Sequence, residues 1–229
     1  MEITYHSHSC VQLTDGEYSV IIDPFITGNP KAQVKIEDIK VQYVLLTHAH
    51  GDHFGDAIEI ARRNNATMIA NHEIATYLGW QGLTVHGMNT GGSYNFEFGK
   101  VKLTQAFHSS GLILEEEQKI VYMGMPIGFL ITMGNKTVYH PGDTALFGDM
   151  KMIGELNAID VAFLPMGDYF TMGPEDALIA AQWIGAKVTI PIHYNTFPLI
   201  EQDADQFILN LENKGLKGKK VNPGEKIEM

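Results

Sequence analysis

Nine residues hold most of the chemistry this sequence can offer. Thr47 to Gly55 read THAHGDHFG, and they contain Asp52 and three of the chain's ten histidines, directly after the apolar run YVLL. His48 and His50 are two apart, so an extended segment points both rings to one side. Asp52 and His53 follow where the chain leaves a strand and turns into a helix, and the small residues Ala49 and Gly51 let it fold tightly. Such a segment can aim two imidazoles at one point and an imidazole plus a carboxylate at a second point nearby. Neutral imidazole and carboxylate are the donors that zinc, manganese and iron accept.

A two-metal centre needs further ligands, and other strand ends should supply them. His108 ends the strand-like KVKLTQAF, Asp143 lies in HPGDT after KTVY, and His193 lies in PIHYN after KVTI. Each sits where an apolar run stops, which is where a chain reaches the rim of a sheet. Short β-branched runs (ITYHSH, SCVQLT, YSVIID, VQYVLLT, ATMIA, DVAFLPM, AKVTIPI) read as strands. Helices are expected at Phe54–Asn64, in HEIATYLGW, at Asp149–Leu156, in GPEDALIAAQWIG and from Glu201 to Lys214. IGFLITMGNKTVYH reads as a hairpin turning at Gly134-Asn135. The segments YVLLTHAHGDHFG and TVYHPGDTALFG echo each other, each running strand, His, Gly-Asp, loop, helix. Mixed strands and helices in this order point to a layered α/β or α+β sandwich.

Composition bounds the partners. The chain has 229 residues, 45% of them hydrophobic and 19% charged, which suits a sizeable core. A net charge of −11 repels phosphate backbones, so no nucleic-acid partner is expected; a small-molecule substrate is. No apolar run approaches the ~20 residues needed to span a bilayer, so no membrane partner is expected. Cys10 is the one cysteine, which precludes an internal disulfide and agrees with a reducing compartment. MEITYHSHSC has neither a basic n-region nor an apolar h-region. A cytoplasmic setting is the expectation, and a homo-oligomer stays open. Glu115–Glu117 read as a solvated loop.

The ordered set THAHGDH, FHSS, HPGDT and PIHYN resembles the metallo-β-lactamase superfamily. HSC near the N-terminus, IIDPFITGNP, YFTMGPEDA and PIHYNTFP are similar to its uncharacterised metal-dependent hydrolase branch, of the ascorbate-phosphate lactonase type. The resemblance implies a four-layer αββα sandwich forming one domain over residues 1–229, with metals at one edge. It implies a first metal on His48, His50 and His108, a second on Asp52, His53 and His193, and Asp143 between them. Asp23 in IIDP would support the histidine loop without binding metal. His8 would stand near the pocket, in substrate contact or proton transfer. The chain lacks the PGHT wording of the glyoxalase-like members and the long insert of the RNA-cutting ones. It carries His50 where the oxygen-reducing diiron members carry Glu, which favours hydrolysis.

Two divalent ions, zinc foremost and manganese or iron as alternatives, would give a simple chemistry. A divalent ion lowers the pKa of bound water from 15.7 to about 7, so hydroxide forms at neutral pH. Hydrolysis of a small ester, lactone or phosphoester follows, with Asp52 or Asp143 orienting the nucleophile or taking its proton. The rival readings are a mononuclear iron oxidoreductase of the persulfide dioxygenase type and a catalytically idle metal-binding protein. Among the other residues, His140 is a candidate supporting group behind Asp143. His6 reads as structural, His72 and His86 as surface residues, and Cys10 as buried filler. Tyr169, Phe170, Thr171 and Met172 are candidates for an apolar pocket wall.

Overall fold

The computed structural model describes residues 1–229. Two twisted sheets face each other. The first contains β1 (Glu2–Ser7), β2 (Cys10–Thr14), β3 (Ser19–Ile22), β4 (Tyr43–Leu45), β5 (Thr67–Asn71), β6 (Val85–Met88) and β15 (Lys226–Glu228), in the order β15-β1-β2-β3-β4-β5-β6. The second contains β7 (Ser93–Phe96), β8 (Gly99–Gln105), β11 (Ile127–Met133), β12 (Lys136–His140), β13 (Val161–Pro165) and β14 (Val188–Ile192), in the order β14-β13-β12-β11-β8-β7. Each sheet is antiparallel on one side and parallel on the other: β3 to β6 run parallel in the first, β12 to β14 in the second. A separate hairpin, β9 (Gly111–Leu114) with β10 (Lys119–Tyr122), stands off both sheets.

Three apolar layers explain the stacking. Ile3, Val11, Leu13, Val20 and Ile22 of the first sheet meet Val101, Leu103, Phe129, Ile131 and Phe163 of the second, all buried. The outer face of the first sheet (Ile21, Val44, Met68) packs on α1 (Gly51–Phe54), α2 (Ala57–Asn64) and α3 (His72–Trp80). The outer face of the second (Leu130, Tyr139, Ala162, Leu164) packs on α4 (Met150–Leu156), α5 (Pro174–Ile184) and α6 (Ala204–Asn213). The parallel strands β3, β4, β13 and β14 are covered on both faces, which is why their sequences are near-continuous apolar runs rather than alternating ones. The result is the αββα sandwich. No helix is long and apolar enough to cross a membrane.

Local signals set most boundaries. Pro174 occupies the first turn of α5, with Glu175 and Asp176 at its positive end, and Gly185 closes it in the left-handed conformation. The helix expected at Phe54–Asn64 is two helices. Gly55, at φ 34°, breaks it, and a Cβ there would lie 2.7 Å from the Pro24 carbonyl oxygen. Asp56 then accepts from the Ile26 and Thr27 N–H groups, each at 2.8 Å, tying the loop after β3 to the start of α2. The last helix begins at Ala204, not Glu201, because the Asp203 carboxylate caps it through Gln206 N–H. Glu115–Glu117 form the exposed turn of the β9–β10 hairpin, and Cys10 is buried.

Candidate metal centre

All seven expected ligands lie on one rim of the sandwich. His48 to His53 follow β4, His108 follows β8, Asp143 follows β12 and His193 follows β14; each loop leaves the carboxyl end of its strand. Ligands in layered α/β folds gather at that end. Backbone bonds between the sheets lock the rims together. His193 N–H donates to the His8 carbonyl at 2.9 Å, and Ile127 N–H donates to the Thr47 carbonyl at 3.0 Å. Gly142 sits at φ 66° against Thr47, where a Cβ would come within 2.7 Å of the Thr47 side chain. Only glycine lets the Asp143 loop lie this close to the His48 loop.

The side chains form two neighbouring groups. His48, His50 and His108 offer ring nitrogens all within 4.8 Å of one another, and His8, His53 and His193 offer ring nitrogens that lie equally close to one another and to a carboxylate oxygen of Asp52. Asp143 stands between them. Its Oδ2 is 3.0 Å from His193 Nε2, 3.2 Å from His53 Nε2, 3.7 Å from His108 Nε2 and 4.0 Å from His48 Nε2. These contacts are short in distance yet not aligned as hydrogen bonds: His53 Nε2, both ring nitrogens of His193 and Asp143 Oδ1 are buried without a hydrogen-bond partner. Orphaned buried polar atoms that converge on one space are what a cation would satisfy. The donor set, imidazole and carboxylate without thiolate, fits a zinc-, manganese- or iron-class ion.

A layer of buried hydrogen bonds aims the rings. Asp23, fully buried, accepts from Thr47 N–H at 2.8 Å, from Thr47 Oγ1 at 2.6 Å and from His53 Nδ1 at 2.8 Å. Since the Thr47 hydroxyl donates to Asp23, it accepts from His48 Nδ1 at 3.0 Å. The Nδ1 protons of His48 and His53 are thereby fixed, and both Nε2 atoms face the cleft. With Asp23 so occupied, the further grouping of Asp23, His48 and His53 is the support of the centre and not another site. His140 donates from Nε2 to the Ser9 carbonyl at 2.9 Å and accepts from Gly142 N–H at 3.2 Å, so it braces the Asp143 loop from behind. His8, Asp23 and His193 all have positive φ, at 58°, 46° and 53°. Such residues cost on the order of 1–3 kcal/mol each and cluster where function holds them.

The two groups differ in charge. Burial, helped by the nearby His53, pushes His48 well below the usual histidine range; burial also lowers His50 and His108. Burial lowers His53 and His193 too, but there the carboxylates win: Asp143, Asp23 and Asp52 raise His53 well above its ordinary value, and Asp143 lifts His193 to about 9. Burial likewise opposes ionisation of Asp52 and Asp143, and the facing histidines overcome it and hold both well below the carboxylate range. Without metal, then, His53 and His193 carry protons at neutral pH. A cation must displace them, because a ligating imidazole has to offer its lone pair. Loading the chelated protein at pH 7.5 should release on the order of two protons per chain. Release should shrink as pH rises past 9, where His193 is already neutral. Calorimetry in buffers of differing ionisation enthalpy measures this; a binding heat independent of buffer would contradict it.

The remaining expectations divide. His8 is buried and neutral: burial and the His193 charge pull it down to about 4. Its Nε2 donates to Asp52 Oδ2 at 3.0 Å, and its Nδ1 pairs with the Thr196 hydroxyl at 2.9 Å. Thr196 was not singled out from sequence, although it lies three residues after His193 in PIHYNT. Phe170 lines the cleft with His50, Asp52, His108, Ser109, Ile113 and Asp143, while Met172 is buried in the core under α5. Ser109 reaches His50 Nε2 at 3.1 Å. His6 is buried against Gln12 and His72 is exposed. His86 is not the free surface residue expected: it is half-buried against the rings of Tyr94 and Phe96, 4.3 and 4.8 Å away.

Comparison with known proteins places the chain in a family. A family model described as the beta-lactamase superfamily domain matches residues 2–193. The UPF0173 metal-dependent hydrolase of Bacillus cereus (strain B4264) is 57% identical over 229 residues, covering all of both chains. Igni18, a metallo hydrolase from the archaeon Ignicoccus hospitalis, is 37% identical, covers 100% of this chain and 98% of its own, and superposes with a TM-score of 0.90. The metallo-beta-lactamase fold protein YhfI of Bacillus subtilis, 16% identical, shares the fold at a TM-score of 0.72 over 100% of this chain and 99% of its own. The chain therefore belongs to the beta-lactamase superfamily and, within it, to the UPF0173 metal-dependent hydrolases.

Proposed function

We propose that this metal-dependent hydrolase is dinuclear, that zinc suits its donors best with manganese or iron as substitutes, and that it cleaves a small ester, lactone or phosphoester. The observation that carries the reading is the position of Asp143 Oδ2, within 4.0 Å of ring nitrogens from both groups. His48, His50 and His108 would hold one ion, Asp52, His53 and His193 the other, with Asp143 shared. Bound divalent ions supply a lowered pKa for water, from 15.7 to about 7, and stabilise charge that develops on the substrate oxygen.

The chain's own residues do the rest. Asp23 and Thr47 hold the rings of His48 and His53 in one tautomer. Asp52, the most exposed of the acidic groups here with 32% of its side chain accessible, opens into the cleft and can take a proton from the attacking water. His8 holds that carboxylate through its Nε2 proton, and so acts as a positioning residue. The oxygen of water bonds to the acyl carbon or phosphorus, the bond to the leaving oxygen breaks, and one proton ends on that oxygen. No electron is gained or lost.

Metal analysis of the purified protein, paired with a panel of esters, lactones and phosphoesters, tests the reading. Two ions per chain with turnover of at least one class is the expected result. One iron per chain with oxygen consumed on a persulfide would replace it, and two ions with no turnover would make the chain a binding protein.

A further inference from the structure

The cleft over the centre has a volume of about 420 Å³, within the roughly 300–1,000 Å³ of small-molecule sites. Its ionisable lining is His50, Asp52, His108 and Asp143, with neither lysine nor arginine among the eight residues around it. Arginine and lysine are the usual clamps for phosphate and carboxylate groups. Whatever positive charge metal ions bring is opposed by Asp23, Asp52 and Asp143, and the whole chain carries −11. An anionic substrate would find no lysine or arginine in the cleft to hold it away from the centre.

The opposite wall is apolar. Ile113 and Phe170 line the cleft while 56% and 51% exposed. Tyr169, 69% exposed, stacks edge-on to Phe170 at 4.7 Å. The loop that shows Phe170 to solvent is pinned, not slack. Asp168 and Tyr169 both have positive φ, at 60° and 40°. Asp168 N–H donates to the Met172 carbonyl at 2.9 Å, and Met172 N–H donates to the Thr144 carbonyl at 3.1 Å, beside Asp143. A strained, anchored backbone that holds large apolar side chains in water beside a reactive centre marks a binding wall.

We infer that the substrate is a neutral ester or lactone with an apolar chain, which packs on Phe170 and Ile113 while its carbonyl faces the centre, and that phosphoesters are disfavoured. The inference rests on the hydrolase reading above, and the two can fail separately. Saturation-transfer NMR on the metal-free full chain should show N-hexylacetamide, an uncleaved neutral mimic, binding at least about fivefold more strongly than hexyl phosphate. Phe170→Asp and Ile113→Asp should each abolish most of the amide signal, with circular dichroism reporting that the variants are folded. On the metal-loaded enzyme, kcat/KM for p-nitrophenyl hexanoate should exceed that for the acetate at least about tenfold, and Phe170→Asp should erase the difference. Equal or stronger binding of hexyl phosphate, or an amide signal unmoved by both substitutions, overturns the inference and leaves the hydrolase reading standing. If the loaded enzyme cleaves no ester, lactone or phosphoester, the hydrolase reading fails, and the amide titration still decides what the cleft accepts.

Discussion

Asp143→Asn is expected to lower hydrolysis by about 1,000-fold or more and to leave the protein with fewer than two metal ions per chain. No other carboxylate lies this close to both groups of imidazoles: Asp143 Oδ2 is 3.0 Å from His193, 3.2 Å from His53 and within 4.0 Å of His48 and His108. Asparagine keeps the shape and removes the charge. Asp143 Oδ1 has no hydrogen-bond partner to lose, so the fold should survive the exchange. The His53 and His193 rings would lose the carboxylate that most strongly favours their protons, and their pKa values should fall. Metal content by mass spectrometry together with kcat/KM decides the matter. Two ions retained, with activity within about tenfold of the parent, would remove Asp143 from the centre.

The second large effect is expected at a residue that touches no substrate. Asp23→Ala leaves Thr47 N–H, the Thr47 hydroxyl and His53 Nδ1 without their acceptor, all in the interior. Removing one partner from a buried charged network costs roughly 3–5 kcal/mol. Loss of a group that orients metal-binding histidines typically costs about 10- to 100-fold in metal affinity. Urea unfolding of the chelated variant measures the first and competition with a chromophoric chelator the second. Asp23→Asn keeps one acceptor oxygen and should fall between. A stability change under about 1 kcal/mol with unaltered affinity would show that His48 and His53 are aimed by something else.

Much of this was legible in the sequence because buried parallel strands and the loops that leave them are written plainly. YVLLTHAHGDH declares both a covered strand and its cargo, and KTVYHPGDT repeats the arrangement in the second sheet, where β12 delivers Asp143 as β4 delivers His48. The edges were not legible. Strands β7, β9, β10 and β15 are three or four residues long with none of those residues buried, too short for alternation or an apolar run to mark them as strands. β15 exists because it pairs with β1 from the other end of the chain, a fact no local pattern contains. The site shows the same division. The donors themselves could be read from type and spacing. The partner of His8, Thr196, lies 188 residues away and is ordinary in type, so only the folded chain pairs them. The apolar wall is half visible: YFTM marks the segment, yet Phe170 lines the cleft while Met172 is buried, a split that composition cannot foretell.

Crystals of the metal-loaded protein, measured on both sides of the zinc, iron and manganese absorption edges, test the central claim most directly. Two anomalous peaks flanking the Asp143 carboxylate are predicted, one among His48, His50 and His108 and the other among Asp52, His53 and His193. A single peak remote from Asp143, or none from protein that turns over substrate, would contradict it.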